Sequence, residues 1–530
     1  MSTLLRTRRQ LRHAPIGTTM FRRSMMIFPF IAALSLLWAF ASPLMSVPDE
    51  PAHTIKAVSV AQGQLRGTTG NNQGDLTLVQ VPYYIAAIGQ QACMGMKPTV
   101  TADCAPPVNG DASEKVDAVT SAGNYNPVYY VIVGSPSRFL SGESAIYAMR
   151  AVSALLGACF LSLAIAAAAS MRRPFWPTTA ALVAVTPMVL YLNASINPNA
   201  LEIVTTASLF LSMCLVFENH KQLSSARFAM VVVGISGAIL ANTRALSLIW
   251  LTAAVVAAVI IYGFQPLLAV VKNRLGQTMM GLIALGCLAS LAWLAVANSF
   301  KSLGGIPSEV TPDQAFFTML DRTFSYSSGY IGIIGWLDTP APGAVITFWS
   351  FAFATLILGG LSMSRGRGRI AVCLILLAVI LLPPILQSQV ITELGYIWQG
   401  RYLLALFVLL VLTCGIILRE RPAPQGEWAQ SVGRWFIAGA IGAHIYMFIY
   451  ALRRYTVGIQ QQTNWTEMFD SVWQPPLSWQ VLALAYLLVL LMGGVLAYKM
   501  LLSRSTVTIE NLAGSADLGD SIPDARDRRH

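Results

Sequence analysis

Charge is what this sequence has least of. Asp, Glu, Lys and Arg make up 11% of its 530 residues, against roughly one quarter in a soluble globular domain. With 55% hydrophobic residues, the chain cannot cover itself in water, which excludes an ordinary soluble domain. It also lacks a Walker-type phosphate loop, H-E-x-x-H, a paired C-x-x-C and G-x-S-x-G, so nucleotide hydrolysis, zinc hydrolysis and elbow-serine acyl transfer are without their motifs. Cysteine is sparse. Cys159, Cys214, Cys287, Cys373 and Cys414 fall in apolar runs, where a thiol behaves as a small hydrophobe. Only Cys93 and Cys104 share a polar stretch, and a bridge closing that short loop is expected if it faces an oxidising compartment, with two free thiols as the alternative. No internal repeat and no separate catalytic domain is evident.

What is present is a series of apolar runs, each about 17 to 25 residues, the length that crosses a bilayer. They lie near 25–46, 145–170, 175–192, 200–217, 228–242, 245–264, 277–298, 342–363, 370–388, 402–418, 435–452 and 479–502. The expected fold is therefore an all-α polytopic membrane protein of about twelve transmembrane helices. The fifth and sixth runs are separated only by Asn242, Thr243 and Arg244, and merging them would give an odd count. Lys and Arg concentrate in cytoplasmic loops, and this settles the count. With both termini cytoplasmic, twelve spans place 23 of the 35 basic residues and 8 of the 24 acids inside. The net charge of +11 then reports orientation, and nucleic-acid binding is not needed to explain it. The first run is about 22 residues, longer than a usual signal core, so it reads as an uncleaved anchor, with Ala39-Phe40-Ala41 as the cleavage site of the competing reading.

The division that follows is a basic cytoplasmic N-terminus over 1–24, a transmembrane domain over 25–504 and a polar, disordered tail over 505–530. Three outer loops are long: 47–143, 299–341 and 453–478, the last with Trp465 and Trp473 as interface anchors. In the first, apolar stretches near 76–88 and 128–140 carry the paired tyrosines Tyr83 and Tyr84, then Tyr129 and Tyr130. They read as short helices at the membrane interface, a level that tyrosine favours. Residues 93–124 read as loop.

Any active site must then be assembled from helix ends and outer loops, and three groups suit that role. Pro48-Asp49-Glu50-Pro51-Ala52-His53 puts two carboxylates and an imidazole at the outer end of the first span, where ionisable groups are costly and mark function by default. The plainer reading is that Asp49 and Glu50 end a helix in water. Arg244 and Arg401 abut apolar helices on the side where topology does not call for Arg; a guanidinium holds phosphate through two parallel hydrogen bonds, or else pairs with an acid such as Glu202 or Glu393. The outer turns 193–199 (NASINPN, with Asn197), 332–340 (GIIGWLDTP) and 399–402 (Gln399-Gly400-Arg401-Tyr402) are polar. In the second, Trp336 and Asp338 suit the C–H face and hydroxyls of a sugar, although a lone Trp is more often an interface anchor.

Together, PDEPAH at 48–53, VPYY at 81, NPVYY at 126, TPMVLYLNASINPNALE at 186–202, GWLDTP at 335–340 and QGRYLLAL at 399–406 make the chain resemble the bacterial membrane proteins of domain-of-unknown-function family 2142, placed near the GT-C glycosyltransferases. The resemblance implies a GT-C-like enzyme of the bacterial inner membrane. It would move a sugar from a polyprenyl-phosphate donor to a cell-envelope glycan or lipid acceptor, on the extracytoplasmic face and with inversion. Asp49 would be the base, Glu50 or His53 would orient it or the acceptor, and Arg244 and Arg401 would neutralise the leaving phosphate. Tyr83, Tyr84, Tyr129, Asn197, Trp336, Asp338 and Tyr402 would line the sugar or lipid path. No cofactor is implied with confidence; PDEPAH differs from the spaced acidic motifs of metal-dependent relatives, and a divalent metal stays open.

Two rival readings remain. Twelve spans with both ends inside is also the layout of transporters, including flippases of lipid-linked glycans, although carriers usually show two symmetric halves. The other is a non-catalytic envelope-assembly protein, in which Asp49 would be dispensable.

Overall fold

Long apolar runs become helices because a backbone in lipid must satisfy its own hydrogen bonds. The computed structural model describes residues 15–69, 76–109, 113–297, 305–460 and 465–502. Residues 1–14 of the basic N-terminus and the tail 505–530, expected to be disordered, lie outside the described residues. The chain begins with α1 (Ile16–Ala41) and a long excursion holding α2 (Glu50–Ala61), β1 (Thr68–Thr69), β2 (Thr77–Pro82), α3 (Tyr83–Ala86), β3 (Lys115–Thr120) and α4 (Pro127–Gly134). There follow α5 (Gly142–Ala169), α6 (Phe175–Val183), α7 (Pro187–Asn193), α8 (Pro198–Glu218), α9 (Arg227–Ala241), α10 (Ser247–Tyr262), α11 (Phe264–Lys272) and α12 (Arg274–Ala297). The last third holds α13 (Pro312–Asp321), α14 (Ser327–Ile331), the hairpin β4 (Ile333–Ile334) and β5 (Thr339–Pro340), then α15 (Gly343–Met363), α16 (Gly366–Leu394), α17 (Gly400–Leu418), α18 (Gly426–Thr456) and α19 (Trp479–Leu502).

Among the described residues ten helices are long and apolar enough to cross a membrane, and two bent pairs, α6 with α7 and α10 with α11, raise the number to as many as twelve. The twelve expected runs each coincide with one of these. Several helices start earlier than their apolar stretch, α1 at Ile16 and α18 at Gly426, because hydropathy marks where lipid begins and a helix continues past that level into water. The pair α6 and α7 bends by 63°: Pro187 supplies no donor to the preceding turn, and Thr186 caps α7 by accepting from Val189 N at 3.3 Å. The pair α10 and α11 turns through 110° at Gly263, whose φ of +80° is open to glycine. Helix α11 therefore lies across the end of its neighbours and exposes Phe264, Leu268 and Val271 along one side.

Helix α8 is buried from Pro198 to Phe217 and α17 nearly so; α5, α9, α10 and α17 surround α8, and α1 lies beside α5. The long connections all fall at one end of the bundle, called here the loop end, together with the short turns 194–197, 242–246 and 395–399; the connections at the far end are all short. The first excursion departs from expectation in two respects, the first being that residues 115–120, within the stretch 93–124 expected as loop, form strand β3 because their backbone pairs along β2. Residues 76–88 begin as strand: β2 alternates inward Thr77, Val79 and Val81 with outward Leu78 and Gln80, pairs antiparallel with β3 and β1, and only then turns into the single turn of α3. An alternation of period two is a strand signal that overall hydrophobicity hides. Residues 127–138 are helical.

Candidate active site

Proline on both sides fixes the turn that carries Asp49. The residue itself takes a left-handed backbone, φ 65°, and serves as the N-cap of α2. That conformation is strained for a non-glycine residue and is held from two other helices, since the carbonyl of Pro48 accepts from Arg401 Nη1 at 3.0 Å and from Asn197 Nδ2 at 3.2 Å. Arg401 Nη2 then reaches Asp49 Oδ2 at 2.5 Å, and Arg401 Nε donates to Gln399 Oε1 at 2.6 Å. The hydroxyl of Tyr402 donates to the same Oδ2 at 3.4 Å. Arg401 has no exposed side chain, whereas the Asp49 side chain is 40% exposed.

Arg244 arrives from the turn between α9 and α10. Asn126 Nδ2 on the first loop donates to Asn242 Oδ1 at 3.0 Å, pinning that turn. The guanidinium pairs with Glu202 Oε2 at 3.1 Å and donates to Asn199 Oδ1, so the pairing with Glu202 raised above is present. Its Cζ lies 5.1 Å from the Tyr402 ring and 5.8 Å from that of Tyr125, while Arg401 Cζ lies 5.0 Å from Tyr402. Both arginines thus meet Tyr402. His53 completes the cluster, buried, with Nδ1 2.8 Å from the Tyr130 hydroxyl and its ring against Tyr125 and Tyr130.

Burial pulls the Asp49 carboxyl upward, but the Arg401 guanidinium, helped by Arg244, outweighs it and leaves the carboxyl below its ordinary range. His53 is pushed down to about 3, chiefly by burial and against the pull of Asp49, so its imidazole is neutral. The cluster offers an ionised carboxylate open on one side, a phenol beside it and a second guanidinium that retains some exposure. Among the described residues no three His, Cys, Asp or Glu gather into a group able to hold a metal ion, and Asp49 Oδ2 is engaged by Arg401.

The remaining expected site residues lie elsewhere. Glu50 is wholly buried and takes Arg150 in a two-pronged pair, Nε to Oε1 at 2.7 Å and Nη2 to Oε2 at 2.6 Å. Arg150 also donates to the carbonyls of Ala39, Ser42 and Pro43, so Glu50 anchors the end of α1 and has no surface left for a substrate. Tyr129 is buried against Ser153, and Asn197 is an N-cap that also holds Pro48. Tyr84 is buried and Tyr83 half-exposed beside the small sheet. Trp336 Nε1 donates to the Met45 carbonyl at 3.0 Å, while Asp338 pairs with Arg454 at 3.1 Å. Arg454 in turn donates to the carbonyls of Met94, Lys97 and Val100, within the loop closed by the Cys93–Cys104 disulfide. Tyr125, Arg150 and Arg454 were not singled out from the sequence; for the two arginines the signal was a charge beside or within an apolar helix.

Residues 33–411 match the family described as "Predicted membrane protein (DUF2142)". The chain belongs to this family. The match bears out the resemblance drawn from the motifs and takes in Asp49, His53, Arg244 and Arg401; α18 and α19, with Arg454, lie beyond it. Two solved structures of ArnT from Cupriavidus metallidurans, one bound to undecaprenyl phosphate and one in the apo state, are similar at 12% and 13% identity, with TM-scores of 0.43 and 0.41. Each match covers 93% of this chain and 79% of that chain. No curated protein matches.

Proposed function

We propose that this family member is a GT-C-type glycosyltransferase of the bacterial inner membrane. It transfers a sugar from a polyprenyl-phosphate donor to a cell-envelope glycan or lipid acceptor at the loop end, which faces away from the cytoplasm. The observation that carries the reading is the Asp49–Arg401 clamp: an ionised, partly exposed carboxylate held in a strained turn at the end of a span, with Arg244 beside it. The donor class follows from the motif resemblance, and the orientation from the placement of 23 of 35 basic residues in the segments at the far end and the two termini.

In this reading an acceptor hydroxyl sits against Asp49, its oxygen attacks the anomeric carbon, and its proton passes to the carboxylate as the bond from that carbon to the phosphate oxygen breaks. The configuration inverts. Arg401 is fully engaged with Asp49, Pro48 and Gln399, so it positions the base; Arg244 is the guanidinium available to the departing phosphate, where negative charge grows in the transition state. The contact that keeps Asp49 ionised also weakens it as a base, which moves the burden of catalysis toward the leaving group. His53, neutral and hydrogen-bonded to Tyr130, orders the aromatic wall beside Asp49.

The test is transfer of radiolabelled sugar from polyprenyl-phosphate donors to envelope glycolipids by purified wild type and Asp49→Asn. Transfer by wild type alone supports the reading. Equal transfer by both removes Asp49 from the mechanism, and binding of lipid-linked glycans without transfer favours a flippase or an assembly protein.

A further inference from the structure

A half-open apolar groove runs along the bundle between α1, α6, α18 and α19, from the level of Leu34 and Val185 to Met500 and Leu501 at the far end. On α19 it extends from Val489 to Leu501, about 18 Å of helix, comparable with one leaflet of a ~30 Å hydrocarbon core. Its walls are aliphatic and aromatic apart from Thr179, Trp349 and His444. Thr179 is satisfied by its own helix, donating to Phe175 O at 2.8 Å. The other two are not satisfied.

His444 is 7% exposed and Trp349 2%; their rings meet edge to face with centroids 5.5 Å apart. Neither Nδ1 of His444 nor Nε1 of Trp349 has a hydrogen-bond partner among the described residues. An imidazole with one proton holds it on one nitrogen or the other, and a hydroxyl can meet Nδ1 in either case, donating to a lone pair or accepting from an N–H. The indole can only donate. A hydroxyl therefore serves both groups at once, accepting from the indole and donating to Nδ1 where that nitrogen carries the lone pair, which neither a carbonyl nor an ether oxygen can do. A buried polar atom left without a partner is destabilising, and two of them facing one apolar groove form a recognition element.

We propose that this groove binds a chain of a hydroxylated membrane lipid, its hydroxyl donating to His444 Nδ1 and accepting from Trp349 Nε1. The occupant comes from the bilayer because every wall of the groove belongs to a membrane-crossing helix or a bent pair. The inference stands apart from the glycosyltransferase reading: the groove leads away from the Asp49 cluster.

The test uses the full-length protein in phosphatidylcholine nanodiscs with two photoreactive probes, a long-chain primary alcohol and its O-methyl ether, scored by saturation of labelling and by mass spectrometry of segments 436–444 and 489–501. The alcohol is expected to label both segments and to bind roughly tenfold more tightly than the ether, the difference made by hydrogen bonds that the ether cannot complete. Trp349→Phe keeps the ring and loses the donor, and should shrink that advantage to about threefold. Gly493→Leu fills the groove from α19, where a Cβ meets only Phe30 at 3.9 Å, and should abolish labelling by both probes. Equal binding of alcohol and ether by the wild type overturns the proposal, the two nitrogens then being served by water. So does an advantage that Trp349→Phe leaves unchanged. The wild-type comparison decides the matter even if a variant fails to fold.

Discussion

Asp49 and Glu50 are consecutive, and each meets an arginine from a distant helix, yet the two pairs are built differently. Glu50 and Arg150 are both without exposure, and every polar atom on the facing edges is used, by each other, by three carbonyls at the end of α1 and by the amide of Ile196. Asp49 gives one oxygen to Arg401 and turns a face outward. The left-handed backbone at Asp49 makes the difference, sending adjacent side chains to opposite fates, one into the protein as a rivet and one to the rim of a cluster. Carboxylates next to each other in sequence are therefore not a general acid/base pair here.

Breaking the rivet should have the largest effect. Glu50→Gln or Arg150→Met leaves one buried charge without its partner, a loss of about 3 to 5 kcal/mol, seen as a much lower unfolding temperature in detergent or no folded protein; an unchanged Tm would refute the assignment. Asp49→Asn should do the opposite. The buried Arg401 keeps Pro48 O and Gln399 Oε1 and can still donate to the Asn oxygen, so the loss of stability is about 1 to 2 kcal/mol, while transfer falls by about 10² to 10⁴, measured as initial rates against wild type. Arg244→Met should lower the transfer rate by about 10², with most of the loss in kcat.

Arg454→Met sharpens the comparison from a third pair. It strands Asp338 and three loop carbonyls, some of which water can reach, and should cost about 2 kcal/mol by thermal unfolding, with faster proteolysis between Cys93 and Cys104. At neutral pH the smallest effect is that of His53, which shows only as a slope on acidification. The unfolded imidazole of His53 takes a proton below its ordinary 6.5, whereas the folded one holds off until about 3. The stability that depends on a neutral His53 is therefore complete above pH 6.5 and drains away as pH falls toward 3. His53→Asn should flatten the decline in Tm over that window; an equally steep decline in the variant would remove His53 as its source.

The spans were legible because lipid imposes a simple requirement, a run of apolar residues about 20 long, and the twelve runs read from composition match ten helices and two bent pairs. PDEPAH, Arg244, Arg401 and Tyr402 were legible for the converse reason, as polar groups against apolar helices. What escaped was pairing. Arg150 sits inside the second apolar run, and its partner is 100 residues away; nothing local says whether Glu50 or Asp49 receives it. Trp336 and Asp338 look like one sugar-binding pair in sequence, but the hairpin of β4 and β5 sends the first to Met45 and the second to Arg454. The strand β2 was missed because six residues that are apolar on average conceal their alternation.

Arg401 reaches back 353 residues to Pro48, and Arg454 reaches back 354 to Val100. A ribosome delivers Asp49 early and these guanidiniums late. Until α17 is inserted, the Asp49 turn has no clamp, and until α18 follows, the loop between Cys93 and Cys104 has nothing to dock against. The geometry therefore sets a schedule for biogenesis, in which the cluster stays incomplete through most of synthesis and a chain truncated before residue 401 would carry the motif without the site.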